Sequence, residues 1–338
     1  MVSPKHSLVI FLFCIFGIGC KKNPELAKKK YFRMDTITEI SLVLRDKRDK
    51  IEIEQCWNSI DSLLKDWEER FSVESFGSEV RLLNEREKNA MPLSPQLREM
   101  IQFALDYGDT LEGGFDLTVQ PLKKLWGFGE NSQADSSLPS EHQIRSALEK
   151  VDFRRLKIIG DSIFFSSQQT QIDVGGIAKG FVLREIGKLL NSYGINDYLI
   201  SAGGDIIVKG KRADGKPWRI GIQHPRNDGA IGALELDSGS IVTSGDYERY
   251  RIVDGNRYHH LFNTRTGYSS TKNQSLTVFC LDPAEADVMS TGLFSRSAEE
   301  ILKFVNSRPR LECMVVDSCG KVFKSRGWQD RVTIFNEN

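Results

Sequence analysis

Apolar residues recur along this chain with two different periods, and the changes of period mark out helices and strands. Ile53, Cys56, Trp57, Ile60, Leu63, Leu64, Trp67 and Phe71 fall three and four apart, which lines them along one stripe of a long amphipathic helix. Ahead of it, Ile40, Leu42 and Leu44 alternate within Ile37–Leu44, the period of a half-buried strand. A second helix is predicted to open with Ser94 as N-cap and Pro95 at its first position, burying Leu97, Ile101, Ala104 and Leu105. Ser140 with Gln143, and Ser297 with Glu300, have the spacing of capping boxes and predict two further helix starts. The polar stretch Glu130–Pro139 reads as the main internal loop.

Beyond that loop, β-rich stretches are expected at Leu156–Ile159, Ile163–Ser166, Tyr198–Ile200, Ile206–Lys209, Trp218–Ile222, Ala233–Leu236, Tyr250–Val253 and Leu276–Leu281. Helices are expected at Ile177–Tyr193, Ala284–Phe294 and Ala298–Ser307. Strands and helices mix without regular βαβ alternation, so the pattern predicts an α+β fold rather than a doubly wound sheet. No G-x-G-x-x-G follows a strand, which argues against a dinucleotide-binding Rossmann unit.

The N-terminus has a different character. Lys5 and His6 precede the apolar run Leu8–Ile18, which is shorter than the roughly 20 residues of a bilayer span but suits the apolar region of a signal peptide. Gly17-Ile18-Gly19-Cys20 followed by Lys21-Lys22 resembles a lipoprotein signal, in which Cys20 would carry the lipid and become the mature N-terminus. Ordinary secretory cleavage near Gly19 is the alternative. Residues 1–19 are thus expected to be a signal peptide. The Lys-rich segment 20–33, with Lys28-Lys29-Lys30, is expected to be a solvated tether after the lipidated Cys20.

Composition narrows the picture. Of 338 residues, 46 are Lys or Arg and 46 Asp or Glu, so the formal net charge is zero. That balance removes bulk attraction to nucleic acid as an argument, and a chain of this length needs no disulfide scaffold. The cysteines after Cys20 are Cys56, Cys280, Cys313 and Cys319, with no C-x-x-C pair. The first three sit in apolar surroundings and read as buried thiols, while a Cys313–Cys319 bridge stays open.

Chemistry concentrates where glycines and polar residues interrupt apolar runs. In Gly113-Gly114-Phe115-Asp116-Leu117-Thr118-Val119-Gln120-Pro121-Leu122 and on to Trp126-Gly127-Phe128, paired glycines permit close backbone approach, and Phe115, Trp126 and Phe128 could wall a planar ring. In Ile172-Asp173-Val174-Gly175-Gly176-Ile177-Ala178-Lys179-Gly180, a strand end, two glycines and a helix start carrying a lysine suit an anion. A plain strand–turn–helix junction fits this segment as well. Thr243-Ser244-Gly245-Asp246-Tyr247 is followed by His259-His260, which point to opposite faces of an extended segment. Asp287 and Thr291 stand four apart, on one face of a helix, and a carboxylate with a hydroxyl suits a hard cation such as Mg²⁺.

Taken in order, with Ser201-Ala202-Gly203-Gly204-Asp205-Ile206 between them, these segments resemble the FAD:protein FMN transferase (ApbE) family from about Met34 to near the C-terminus. The resemblance implies one transferase domain over 34–335, with mixed sheets, flanking helices and two interlocked subdomains holding the FAD site between them. It implies cleavage of the FAD pyrophosphate and attachment of FMN through a phosphoester to Thr or Ser of a partner redox protein, with release of AMP. It implies that the carbonyl of Gly176, with Asp287 and Thr291, binds Mg²⁺. Asp173 and Lys179 would hold the nucleotide, and Met34, Gly114, Phe115 and Asp116 would line the pocket. His259 would lie near the phosphates and His260 would act as general base.

The sequence also departs from the family pattern. Asp35 stands where Gly is usual, Glu74 where an aromatic is expected, and Asn263-Thr264 where Asp-Pro is common. The expected partners are FAD, a flavin-accepting membrane or exported redox subunit, and a membrane reached through the lipid, on the periplasmic side of the inner membrane. FAD pyrophosphatase and a non-catalytic flavin-binding lipoprotein are the competing functions. Intact Asp287 and Thr291 tell against simple flavin capture, which needs no metal.

Overall fold

The alternation that predicts a first strand reaches further toward the N-terminus than its apolar residues show. In the computed structural model, which describes residues 24–45, 50–129 and 137–335, strand β1 (Glu25–Arg33) pairs antiparallel with β2 (Thr36–Leu44). The segment expected to be a solvated tether is therefore an edge strand from Glu25 onward. Ala27, Lys29 and Tyr31 face inward; Tyr31 is buried, and its hydroxyl donates to the Trp57 carbonyl at 2.9 Å. Lys29 lies over the Tyr31 and Trp57 rings, and Lys30 pairs with Glu39 across the ladder. Lysines suit such a position because charge on an open edge discourages pairing with other chains. The signal segment, Cys20 and residues 130–136 of the predicted loop lie outside the described residues.

Helix α1 (Lys50–Phe71) follows, then α2 (Glu79–Asn84), β3 (Ala90–Pro92), α3 (Pro95–Thr110), α4 (Gln120–Leu125) and α5 (Glu141–Leu148). Ser94 and Ser140 cap α3 and α5 as predicted, the latter in a full capping box. Next come β4 (Leu156–Ile159), β5 (Ser162–Phe165), α6 (Ala178–Ser192), β6 (Tyr198–Ala202), β7 (Asp205–Lys209), β8 (Trp218–Gln223), β9 (Ala230–Leu236) and β10 (Ser238–Gly245). The chain closes with β11 (Tyr250–Val253), β12 (Asn256–His259), β13 (Asn273–Cys280), α7 (Pro283–Leu293), α8 (Ala298–Asn306), β14 (Glu312–Asp317), β15 (Val322–Lys324) and β16 (Thr333–Ile334).

One antiparallel sheet of eight strands, in the order β1-β2-β6-β7-β10-β13-β14-β15, organises the molecule. Ladders β3-β5-β4, β16-β9-β8 and the hairpin β11-β12 flank it. The larger apolar core joins one face of the main sheet, through Ile40, Leu42, Ile200 and Val278, to residues of α1, α3, α6, α7 and α8. A second core on the other face packs Val43, Val208, Ile241 and Val316 against Trp218 and Ile220 of β8 and Trp328. Cys56, Cys280 and Cys313 are buried; Cys280 and Cys313 carry free thiols, as does the exposed Cys319. Among the described residues no helix is long and apolar enough to cross a membrane.

Candidate active site

Helices α6 and α7 cross closely because Gly180 has no side chain. A Cβ there would stand 2.5 Å from the Pro283 carbonyl oxygen and 2.6 Å from the Ala284 Cα. The crossing brings the start of α6 to the middle of α7, where Asp287 accepts a hydrogen bond from the Gly180 N–H at 2.9 Å. One turn further along α7, Thr291 faces Gly176 and lies 3.5 Å from the Ser244 hydroxyl at the end of β10. The three residues expected to hold a metal, Gly176, Asp287 and Thr291, are therefore brought together from two separate stretches of chain, the turn before α6 and helix α7.

They line a cavity of about 380 Å³ together with Met34, Gly114, Phe115, Asp116, Asp173, Lys179 and His260. Its volume falls within the usual range of small-molecule sites. Met34 and Asp35 enter it from the β1–β2 turn, both in the left-handed region at φ 55° and 54°, the backbone of a type I′ hairpin. Met34 is fastened there by its N–H, which donates to Glu68 at 2.7 Å.

The charged groups are partnered in ways the sequence did not disclose. Lys179 forms an ion pair with Asp205, a residue 1% exposed. Burial works against its ammonium, but the carboxylates of Asp205 and Asp287 outweigh this and hold its pKa above the ordinary lysine value. Lys179, expected to hold the nucleotide, lines the cavity and also serves there as counterion to two buried carboxylates. Asp173 pairs with Lys123 of α4 at 2.5 Å and accepts from the Gly175 N–H at 2.8 Å. Burial alone would raise its pKa, and Lys123 overrides that to leave it below the usual range. Asp116 directs its carboxylate into the protein, accepting from the Thr118 N–H and hydroxyl and from the Phe153 N–H at 2.6–3.0 Å. Burial raises its pKa to about 6. Asp287, 3% exposed, is pushed up to about 7 by burial, with Asp205 adding to the shift and Lys179 opposing it.

The two histidines divide as an extended segment predicts. His260 faces the cavity with its Nδ1 3.2 Å from the Arg249 carbonyl. A carbonyl only accepts, so Nδ1 carries the proton and Nε2 keeps its lone pair. Burial lowers its pKa to about 3, which makes the ring neutral. His259 is not part of the cavity lining. It is buried, its Nε2 is 2.7 Å from the Ser270 carbonyl, and its ring meets Phe294 edge-on. The expectation that it binds the nucleotide is corrected accordingly: its side chain belongs to the core behind the site.

The aromatic wall is likewise narrower than expected. Phe115 lines the cavity, whereas Trp126 is buried, donates its indole N–H to the Gly267 carbonyl at 2.8 Å and stacks on Tyr258. Phe128 packs edge-on against His260 and Phe262. Lys123 and Arg249 were given no role from the sequence, and Asp205, Thr243 and Ser244 stood only inside quoted motif segments. Of these, Asp205 had a signal, since a carboxylate after two glycines at a strand start has no structural need of its own. Asp246 of the Thr243–Tyr247 segment holds the surrounding loops, accepting from Arg226 at 2.7 and 2.6 Å and from Arg257 at 3.1 Å.

Comparison with known proteins now bears on the arrangement. The ApbE family model matches residues 34–315. The chain belongs to the ApbE family. Among relatives, FAD:protein FMN transferase of Vibrio cholerae is 31% identical over 300 residues, covering 87% of this chain and 89% of its own. The enzyme of the same name from Escherichia coli K12 is 28% identical over 330 residues, 92% of each chain. Among solved structures, the ApbE protein of Thermotoga maritima superposes with a TM-score of 0.83 at 28% identity, covering 90% of this chain and 98% of that one. Flavin transferase ApbE of Vibrio cholerae gives 0.83 at 26%, covering 91% and 99%.

Against the ApbE pattern the departures are accommodated locally. Asp35 occupies a left-handed turn position where Gly is the least strained residue and Asp among the tolerated ones. Asn263 accepts from the Arg265 N–H at 2.9 Å, and the Thr264 hydroxyl donates to the Gly113 carbonyl at 2.6 Å. The loop is therefore held without the usual Asp-Pro. Glu74 lies near Gly129, where a Cβ would come 3.0 Å from its Oε1, and is not part of the cavity lining.

Proposed function

We propose that this ApbE-family chain is a magnesium-dependent FAD:protein FMN transferase, moving FMN from FAD to a Thr or Ser hydroxyl of a redox protein. The observation that carries the reading is the meeting of Gly176, Asp287 and Thr291 at one end of a cavity that also exposes the neutral His260. Among the described residues no three His, Cys, Asp or Glu side chains cluster as for a soft or transition metal. One carboxylate with hydroxyl and carbonyl oxygens is instead the donor set of a hard cation that keeps several waters. The high pKa of Asp287 fits too, since a buried carboxylate beside Asp205 is stabilised by added positive charge. Bound there through Asp287, Thr291 and the Gly176 carbonyl, Mg²⁺ would neutralise charge on the pyrophosphate.

The remaining work falls to the chain. The cavity walls hold the flavin nucleotide so that the acceptor hydroxyl lies in line with the phosphorus of FMN. The hydroxyl oxygen forms a bond to that phosphorus, the bond to the AMP oxygen breaks, and the hydroxyl proton passes to Nε2 of His260. Negative charge from a bound pyrophosphate raises the imidazole pKa toward a useful range.

The test incubates the purified chain with FAD, Mg²⁺ and a flavin-accepting redox subunit. Covalent flavin fluorescence on the subunit after denaturation is expected, and Asp287→Asn is expected to abolish it while leaving the melting temperature within a few degrees. Acceptor-independent AMP release alone would mean a pyrophosphatase, and FAD binding without turnover a carrier. Wild-type turnover in Asp287→Asn would remove the metal assignment.

We also propose that the chain is exported and lipidated at Cys20, supported by the apolar run Leu8–Ile18 and the small residues before that cysteine. Cys20→Ser is expected to move the protein from membranes to the soluble fraction; sedimentation with membranes after a high-salt wash would overturn it.

A further inference from the structure

Gly114 and Thr264 each line two cavities. On their far side lies a second one of about 500 Å³, bounded by the loop after Asn263, the end of α7 and helix α8. Helix α7 and the turn after it connect the two, with Thr291 lining the first cavity and Ser295, in that turn, lining the second.

The second cavity is basic. Arg265, Arg296, Lys303 and Arg308 line it against Glu112 and Glu300. Glu300 is occupied in capping α8, accepting from the Ser297 N–H and hydroxyl at 2.8 Å. Glu112 faces Arg265 at 3.8 Å with both side chains about three-quarters exposed, a contact that contributes little. Among the described residues Arg296, Lys303 and Arg308 form no ion pair. Two of these cations are nevertheless fixed: Arg296 donates to the Leu111 carbonyl at 2.7 Å, and Arg308 lies 3.4 Å from the centroid of Phe304. Burial and the neighbouring Arg296 both hold the Arg308 pKa below its ordinary value. A nucleotide base would need an aromatic face, and Arg308 already covers Phe304. Arg265 and Lys303, which also line the groove, are exposed.

We propose that this groove receives an acidic polypeptide flank of the flavin-accepting protein, beside the cavity in which its hydroxyl reacts. The proposal rests on the transferase reading above and adds to it the charge of the acceptor. Positive groups next to the reaction cavity, three of them in no ion pair among the described residues, steer and orient a chain carrying Asp or Glu, and association then weakens as salt rises.

The probe is a fluorescein-labelled 15-residue peptide with one central Thr between Asp and Glu residues, beside a copy with Lys in their place. Binding to the full chain is read by anisotropy at low salt and then again at high salt. The acidic peptide is expected to bind at least about tenfold more tightly than the lysine copy. Arg265→Glu with Lys303→Glu should remove that preference, while Lys216→Glu with Arg219→Glu on the β8 side should keep it. If the first pair lowers the melting temperature, Arg265→Gln and Lys303→Gln singly carry the comparison, each with a smaller loss of the same sign. Equal binding of the two peptides, full displacement by millimolar AMP, or indifference to the charge changes would each overturn the proposal. FAD and Mg²⁺ are then added to the same samples. A bound acidic peptide that gains no covalent flavin counts against the transferase reading and leaves the groove standing.

Discussion

Lys179 illustrates how a residue's neighbours change what its removal would do. Taken alone it looks like a phosphate anchor, but its ammonium compensates Asp205 and Asp287, both almost fully buried. Breaking a fully buried pair costs about 3–5 kcal/mol because the other charge is left behind; here Asp205 is buried but the Lys179 side chain is 36% exposed to the cavity, so the cost is smaller. Lys179→Met is therefore expected to lower the denaturation midpoint, and Lys179→Met with Asp205→Asn to recover most of it. Urea titrations check this; a single variant as stable as the wild type would show that the pair is not a buried one. An FAD titration on the double variant then separates roles, since unchanged affinity would take the ammonium out of nucleotide binding. Asp116 makes a prediction about pH. Its folded pKa is about 6, raised by burial over the ordinary 3.8 despite three hydrogen bonds. A carboxyl with a raised folded pKa binds its proton more tightly in the native state, so its contribution is full below about pH 4 and is lost as pH rises to about 6. The shift corresponds to about 3 kcal/mol. Stability of the wild type relative to Asp116→Asn should accordingly decline across that interval and stay level above it, as thermal melts at pH 4 to 8 would show.

At the scale of elements, the crossing of α6 and α7 is the joint on which the site depends. Gly180→Ala would force a methyl into the Pro283 carbonyl and the Ala284 Cα. Because backbone stands in the way, the helices must separate, at a cost of about 1–3 kcal/mol and with the Gly180–Asp287 hydrogen bond strained. A lower melting temperature and a larger loss of turnover than of FAD affinity are expected; wild-type melting would mean the crossing is not close. Elements with local chemical signals were readable beforehand. The caps at Ser94, Ser140 and Ser297 place three helix starts to the residue, since a side-chain oxygen accepting a backbone N–H needs no tertiary context. The start of α6 at Ala178 has no side-chain cap bond, and the periodicity located it to within one residue. Strand β10 escaped notice altogether. Its sequence, SGSIVTSG, is small and polar because its neighbours on both sides pack closely, so a central strand carried the composition of a loop. Strand β1 escaped for the opposite reason, its lysines reading as solvated chain although every second residue faces inward.

Across the whole molecule, the main sheet gathers segments far apart in sequence. The β1–β2 turn, the start of α6, the end of β10, His260 and α7 become one cavity only through the order β1-β2-β6-β7-β10-β13. The residue types of the site were legible as separate segments, and the family resemblance supplied their grouping. Partnership was not legible, because Lys123 with Asp173 and Lys179 with Asp205 are 50 and 26 positions apart and no local pattern links them. Finally, β1 fixes a distance. With Cys20 lipidated as proposed, the chain enters the folded sheet at Glu25, at most about 18 Å from the bilayer. The strand then runs about 30 Å to Met34 and Asp35 in the cavity wall. So anchored, the enzyme would be held on a short leash, within reach of hydroxyl groups no more than about 50 Å above the lipid. Lengthening the leash with a Gly/Ser segment of about 30 residues between Asn23 and Pro24 should extend that reach. On membranes displaying acceptors at graded heights, covalent flavin should appear on tall acceptors only with the insertion. Equal yields at every height with and without it would mean that the leash sets no limit.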